Sequence, residues 1–282
     1  MSGSIKILFT VALREEALPI IDLFGLERDP ESGSQPVYRN ENIALIVSGL
    51  GKIKAAAATA RLFSRECVAR GAGAINIGIA GSVHPASHPK SQIFLIHKIV
   101  DNGSAREFFP DMIIKSGLKE TTLTTFDAPV TLESMGIPTL GLVDMEASGF
   151  FETASLFLGP HRIVCLKIVS DHLEGKRLKR SEIRSLVASH AHTIGDFAQR
   201  MIASCDSDSP PYTEAEAKWM DAVGFDLRLT VSQKHMLKDW VLAHRLKTED
   251  PLPDLKEDLQ LRPQTKAERN TRFEEIRKIL TQ

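Results

Sequence analysis

Apolar residues recur in short runs along the first part of the chain, and several runs are separated by longer segments with a helical period. One run, 74–81, is small and apolar throughout, as expected of a strand that is buried on both faces. We predict a hairpin over 36–47, strands at 5–11, 74–81, 92–100, 121–126 and 162–169, and helices at 53–66 and 180–203. This alternation predicts βαβ units around a parallel or mixed sheet, so the expected fold class is α/β.

The composition changes at 204–211, where serine, aspartate and proline are concentrated as in a linker. We therefore expect three parts in the chain. These are a domain over 1–205, a linker over 206–211 and a small α-helical C-terminal extension over 212–282.

The extension contains recognisable helix signals. Thr213 and Glu216 have the spacing of a capping box for a short helix that ends near Gly224. Ser232 is a candidate cap for a second helix, and a highly charged third helix is predicted over 265–280.

The charge balance limits the classes of partner. The 282-residue chain has a formal net charge of -1, which gives no electrostatic case for binding nucleic acid or an anionic membrane. From Tyr212 onward, 13 Lys and Arg stand against 13 Asp and Glu. Contact with the preceding domain, a subunit or a protein partner is therefore favoured over DNA binding, with Trp219 and Trp240 as anchors.

Cysteine and histidine positions bear on the compartment and on metal binding. Cys67, Cys165 and Cys205 lie far apart without a CxxC spacing, which predicts reduced thiols in a cytoplasmic protein. The sequence shows no signal peptide or membrane span. His84 and His88 have i,i+4 spacing, but a proline intervenes and no cysteine or acid completes a ligand set, so no metal is expected.

The stretch 143–149, with sequence VDMEASG, is the strongest candidate for chemistry. It lies where a strand or loop leads into a helix, and Asp144 and Glu146 flank Met145. Carboxylates could accept hydrogen bonds from a polyhydroxylated ligand while the thioether packs on an apolar ring face. The alternative is an acidic helix start, in which capping and the helix dipole account for both acids.

Two more acids follow predicted strands, Glu16 after 5–11 and Asp171 after 162–169. Strand-to-helix junctions of such sheets tend to share one edge, so these acids and Glu146 are expected to converge in a cleft. Gly49 and Gly51 lack the spacing of a nucleotide-phosphate loop, and they predict a tight turn that brings backbone amides close to a ligand or a neighbouring loop.

Five blocks match a known superfamily in its own order. They are ALREE at 12–16 for AMxEE, SGLGK at 48–52 for SGIGK, NIGIAG at 76–81 for NxGxAG, VDMEA at 143–147 for VEMEA, and Ser170-Asp171 for ISD. From Ile5 to about Ala203, the chain resembles the nucleoside phosphorylase and nucleosidase superfamily, and within it the methylthioadenosine/S-adenosylhomocysteine nucleosidases. This resemblance implies a three-layer αβα domain with a mixed central sheet and hydrolysis of a purine nucleoside without a cofactor.

The resemblance also implies a role for each matching residue. Asp171 would donate or share a proton at the purine N7, and Glu16 would position the attacking water. Ribose would be held by Glu146, Met145 and Lys167. The base would contact Phe126, Ser170 and Ile168, and the loop near the nucleophile would contain Gly49, Gly51 and Ile79. Carboxylates suit this reaction because cleavage builds positive charge on the ribose, and a partly desolvated aspartate can be protonated near neutral pH.

Departures from the family pattern leave alternatives open. Asn76 stands where phosphorylases usually place a phosphate-binding Arg, which favours water as the nucleophile. Lys167 replaces the usual Arg near the ribose, and His172 follows Asp171 in place of a small residue. The alternatives are a phosphate-dependent phosphorylase and a non-catalytic nucleoside-binding or scaffold protein. By resemblance the partner is a small-molecule nucleoside, and the protein is a homo-oligomer, a dimer or larger.

Overall fold

A computed structural model describes residues 4–111, 116–134, 141–175, 178–206, 213–247, 252 and 263–281. The chain divides into two compact units, Met1–Ser207 and Asp208–Gln282. The predicted linker, apart from residue 206, lies outside the described residues. None of the helices within the described ranges is long and apolar enough to cross a membrane.

Within its described residues, the first unit is built on a mixed sheet of ten strands. The strands are β1 (Ile5–Val11), β2 (Glu27–Arg28), β3 (Val37–Arg39), β4 (Ile43–Val47), β5 (Val68–Ser82), β6 (Ile93–Asp101), β7 (Glu107–Phe108), β8 (Lys119–Thr125), β9 (Leu142–Asp144) and β10 (Ile163–Asp171). The predicted hairpin is confirmed as the antiparallel pair β3 and β4, and the other predicted strands overlap β1, β5, β6, β8 and β10.

Five of these strands form a closed ring. β5 pairs with β10, β10 with β6, β6 with β8, β8 with β9, and β9 with β5. β1 runs parallel to β5 on the outside of the ring, and β4 runs parallel to β1. Because β4, β1, β5 and β10 are parallel neighbours, their carboxyl ends lie at the same edge of the sheet.

Helices cover both faces of the sheet, which confirms the α/β fold class. They are α1 (Arg14–Phe24), α2 (Lys52–Arg65), α3 (Ala147–Ala154), α4 (Arg180–Ala188) and α5 (Ala191–Asp206). Side chains of α2 and α3 pack in one apolar cluster with one face of the sheet, and those of α1, α4 and α5 pack in a second cluster with the other. Side chains along a strand point alternately to its two faces. Consecutive residues of β10 therefore belong to opposite clusters.

The single helix predicted over 180–203 is wrong, since two helices occupy this range. α4 ends at Ala188, and the amide of His190 bonds to the carbonyl of Val187 before α5 begins at Ala191. The His190 ring bonds to the carbonyl of Ser91, at 2.7 Å from its Nε2. This tertiary contact holds the chain where it changes direction.

The second unit contains α6 (Glu214–Asp226), α7 (Val231–Lys247) and α8 (Lys266–Thr281) around an apolar cluster of its own. Trp219 and Trp240 pack against that cluster, and the Trp240 and Phe273 ring centroids are 4.6 Å apart. The Thr213 capping box is confirmed. The expected cap at Ser232 is wrong, because α7 begins at Val231 and the Thr230 hydroxyl accepts the Gln233 amide at 3.3 Å.

Candidate active site

A cavity of about 500 Å³ opens at the carboxyl ends of β1, β5, β9 and β10. Predicted site residues that line it include Glu16, Met145, Glu146 and Asp171. Ser170 and Ile79 line it as well. The sheet therefore brings residues from distant parts of the sequence to one cleft, as parallel strand ends generally do.

Glu16 lies in the first turn of α1 and turns back over the sheet. Its carboxylate accepts hydrogen bonds from the Leu13 amide and from the Ile79 amide, each at 2.9 Å. The residue is only 2% exposed, and burial raises the pKa of its carboxyl to about 7 despite these two bonds. A carboxyl with such a pKa exchanges its proton near neutral pH, which suits a general base.

Glu146 occupies the position before α3 and reaches the turn that precedes α2. Its Oε1 accepts the Gly51 amide at 2.8 Å. Gly51 has φ of +104° and Gly49 has φ of +87°, a backbone region that favours glycine, so the two glycines permit the turn that aims this amide at Glu146. Burial and the nearby Asp144 carboxylate raise the pKa of Glu146.

Asp144 has a different environment from Glu146. Its Oδ2 accepts the Ala147 amide at 2.9 Å and the Lys167 ammonium at 2.9 Å, while its Oδ1 accepts the Thr125 hydroxyl at 2.7 Å. The side chain is inaccessible to solvent. The helix-start interpretation therefore describes the Asp144 carboxylate, which supports the first turn of α3, although both Asp144 and Glu146 line the cavity.

Asp171 ends β10 and is held from both sides. The Ser170 hydroxyl donates to its Oδ2 at 2.6 Å, and the Leu173 amide donates to its Oδ1 at 2.8 Å. Leu173 has φ of +59°, an uncommon backbone conformation for a branched side chain. Its side chain packs with Phe126 and Val143, which stabilises this conformation and so the orientation of Asp171.

Five predicted site residues do not line the cavity. Phe126 packs behind Val143 and Leu173, and the fully buried Ile168 belongs to the apolar cluster shared with α1, α4 and α5. Lys167 is 1% exposed and directs its ammonium at Asp144. Gly49 and Gly51 lie in the turn beside the cavity, where the intervening Leu50 is the lining residue.

The wall formed by residues 128–131 was not predicted from the sequence. It follows Asp127, which pairs with Lys52 at 2.9 Å, and Lys52 also binds the buried Asp101 at 2.8 Å. Burial opposes the charge of Asp101, but hydrogen bonds from Lys52, Ser148 and Ser104 hold its pKa well below the usual range. Lys52 thereby connects the start of α2 to β6 and to this wall.

Two glycines, Gly149 and Gly78, allow the backbone to pack closely beside the site. A Cβ on Gly149 would meet the Lys52 carbonyl oxygen at 2.1 Å, so only glycine lets α3 approach the start of α2 this closely. A Cβ on Gly78 would lie 2.9 Å from Glu16 Oε1. The roles of these two glycines and of Thr125 could not be predicted from the sequence, because each role depends on a partner far away in the chain.

The described residues include no group of three or more His, Cys, Asp or Glu side chains placed to hold a metal ion. Both ring nitrogens of the buried His88 have hydroxyl partners, Ser82 and Thr121, each at 2.9 Å. Burial, with His84 and His172 nearby, lowers the pKa of His88, which favours the neutral ring. His88 therefore has a structural role in joining β5 to β8.

No protein-family model and no curated protein sequence matches the chain. Several solved structures, however, are similar to the structure of this chain. The 5′-methylthioadenosine/S-adenosylhomocysteine nucleosidase of Helicobacter pylori, bound to butyl-thio-DADMe-Immucillin-A, is similar with a TM-score of 0.57 and 17% identity over 70% of this chain and 99% of that one. The Arabidopsis thaliana 5′-methylthioadenosine nucleosidase gives a TM-score of 0.57 and 18% identity over 71% and 96%.

A mutant futalosine hydrolase of Helicobacter pylori is also similar, with a TM-score of 0.55 and 16% identity over 70% of this chain and 99% of that one. These likenesses extend over nearly the whole length of the other proteins. They show that the chain has the fold of the nucleosidases.

The ion pairs of Lys52 with Asp101 and Asp127 should contribute unequally to the stability of the fold. Lys52→Met leaves the Asp101 carboxylate buried without its cation, so we expect the free energy of unfolding to fall by about 2 kcal/mol or more. Asp127 has a 63% exposed side chain, and Asp127→Asn should cost only about 0–1 kcal/mol. Urea denaturation of both variants measures the difference, and equal losses would show that Asp101 does not depend on Lys52.

Proposed function

We propose that the chain hydrolyses the N-glycosidic bond of a purine nucleoside and releases the free base. The substrate class is methylthioadenosine or another 5′-modified adenosine. The observation that carries this proposal is the convergence of Glu16, Glu146 and Asp171, from three strand-to-helix junctions, on one cavity in a nucleosidase fold. The cavity volume of about 500 Å³ is in the range of small-molecule sites.

Glu146 and Met145 are suited to hold the ribose. The Gly51 amide fixes one carboxylate oxygen of Glu146, which orients the group to accept hydrogen bonds from ribose hydroxyls. Met145 is adjacent in the cavity lining and can pack on the apolar face of the sugar. As the bond to the base breaks, positive charge develops on the ribose, and the surrounding carboxylates stabilise it.

Glu16 is suited to activate the water. Two backbone amides fix its carboxylate, and its pKa of about 7 allows it to accept a proton from water near neutral pH. The water attacks the anomeric carbon, its proton passes to Glu16, and the bonding electrons leave with the base.

Asp171 is suited to assist the leaving base. It supplies or shares a proton at the purine N7, which neutralises the negative charge that the base acquires. The Ser170 hydroxyl and the Leu173 amide fix the two carboxylate oxygens, so the group is oriented before the nucleoside binds.

Water is favoured over phosphate as the nucleophile. Asn76, at the position where phosphorylases usually place Arg, is buried and donates its side-chain amide to the carbonyl of Thr10 at 2.9 Å. The described residues that line the cavity include no Lys, Arg or His. A phosphate dianion among the carboxylates would therefore meet like charges.

The names of the similar proteins bear on the substrate. Two are nucleosidases named for 5′-methylthioadenosine, and one is a futalosine hydrolase, so the 5′ substituent is the feature to test. We further propose a cytoplasmic homo-oligomer whose C-terminal extension contacts a subunit or a protein partner.

A panel of nucleosides tests the reaction. Purified protein is incubated with methylthioadenosine, S-adenosylhomocysteine, futalosine and adenosine, with and without phosphate, and products are separated by chromatography. We expect free base and free sugar without phosphate, with the highest kcat/KM for a 5′-modified nucleoside. Formation of a sugar 1-phosphate only in the presence of phosphate would establish a phosphorylase, and no release from any nucleoside would indicate a binding protein.

The Glu16 pKa predicts the pH dependence of hydrolysis. Below pH 7 the carboxyl is protonated and cannot accept a proton from water, so kcat/KM should rise with pH and level off above about 7. Glu16→Gln should lower kcat by about 10²–10⁴ and remove this acidic limb. Glu31→Gln is the control, because Glu31 has an 87% exposed side chain. Activity close to wild type in Glu16→Gln would exclude Glu16 as the base.

A further inference from the structure

Lys167 is a fully buried cation beneath the cavity, and its position does not suit a contact with substrate. The side chain is 2% exposed, and the ammonium lies 2.9 Å from Asp144 Oδ2. Although burial acts against the charge, Asp144 and Glu146 raise the pKa of Lys167, so it stays protonated. Lysine presents a compact charge that fits this single partner, which a planar guanidinium would not do equally well.

Glu16 and Lys167 approach each other over Gly78. A Cβ at Gly78 would lie 2.9 Å from Glu16 Oε1 and 3.6 Å from Lys167 Nζ. The two charged atoms therefore border the same small space, and they are no further apart than these two distances combined. A side chain at this position would displace one of them. The bare backbone of β5 lets the Lys167 charge act on Glu16 through the protein interior, where electrostatic interactions are strong.

The charges around Lys167 do not balance if every acid is ionised. Glu16 on α1, Asp144 on β9 and Glu146 before α3 are buried acids, and Lys167 is the cation among them. Burial raises the pKa of the neighbouring Cys165 thiol to about 12, so this group stays neutral. Asp144 bonds directly to the cation, whereas burial raises the pKa of both Glu16 and Glu146.

We propose that Lys167 is a positioning residue that sets the pH at which Glu16 loses its proton, and that it acts across Gly78 without touching the substrate. The catalytic consequence rests on the proposed function, since it matters only if Glu16 is the base. Removal of the Lys167 charge leaves Glu16 beside Glu146 without a cation, so the protonated form of Glu16 persists to higher pH. The chain then needs a more alkaline solution to hydrolyse a nucleoside.

The direct test measures the charge of Glu16 and does not use activity. Infrared titration follows the carboxyl band of Glu16, which is assigned by its loss in Glu16→Gln. We expect the titration midpoint near pH 7 in the intact protein and an increase of about 1 pH unit or more in Lys167→Met. Lys90→Met is the control, because Lys90 pairs with Glu174 on the surface and should leave the midpoint unchanged.

Lys167→Met also leaves Asp144 buried without its cation, and this variant could fail to fold for that reason. Asp144→Asn combined with Lys167→Met removes both charges and retains a similar volume. We expect the Glu16 midpoint to rise in this double variant too, by less than in the single one. Circular dichroism verifies folding, and an unchanged Glu16 midpoint in a folded variant that lacks Lys167 would overturn the proposal.

The pH profile of hydrolysis separates this proposal from the proposed function. If nucleosides are hydrolysed, the acidic limb of kcat/KM should move to higher pH by the same amount as the infrared midpoint, while the plateau changes only a few-fold. An acidic limb that stays in place would contradict the role of Lys167 and leave hydrolysis established. If no nucleoside is hydrolysed, the infrared midpoint still decides whether Lys167 controls Glu16.

Discussion

The site depends on the burial of several acids with one lysine at a sheet edge. An ionised carboxylate in the interior is unfavourable unless hydrogen bonds or an opposite charge stabilise it. Glu16 receives two backbone amides, Glu146 receives the Gly51 amide, and Asp144 binds Lys167, Thr125 and Ala147. Because the partners come from different elements, the acids fix the relative positions of α1, α2, α3 and the strands between them.

The closed part of the sheet explains why this arrangement can exist. β5 pairs with β1 before residue 77, and its carboxyl end, with Gly78, Ile79 and Gly81, pairs with β10 and β9. Glycine at 78 admits the Glu16 carboxylate, and a Cβ on Gly81 would meet the Leu173 side chain at 2.2 Å. The small residues of β5 thus leave room for side chains that line the cavity, and they also allow the strand to be buried on both faces.

Much of the fold could be predicted from the sequence, because apolar runs of strand length record burial locally. The convergence of Glu16, Glu146 and Asp171 also followed from their places after strands. The environment of each side chain could not be predicted in this way. VDMEA does not reveal that Asp144 binds a lysine 23 positions further along the chain while Glu146 reaches the turn before α2. Lys167 and Ile168 were expected from the resemblance to contact the substrate, yet the strand directs both side chains into the interior.

In the proposed reaction, water that is activated at Glu16 attacks the ribose of a purine nucleoside. The most direct measurement is hydrolysis in water enriched in heavy oxygen, with mass spectrometry of the released sugar and base after a single turnover. We expect one labelled oxygen to enter the sugar at the anomeric carbon and none to enter the base, with no requirement for phosphate. Label in the base, or sugar release only as a phosphate ester, would contradict it.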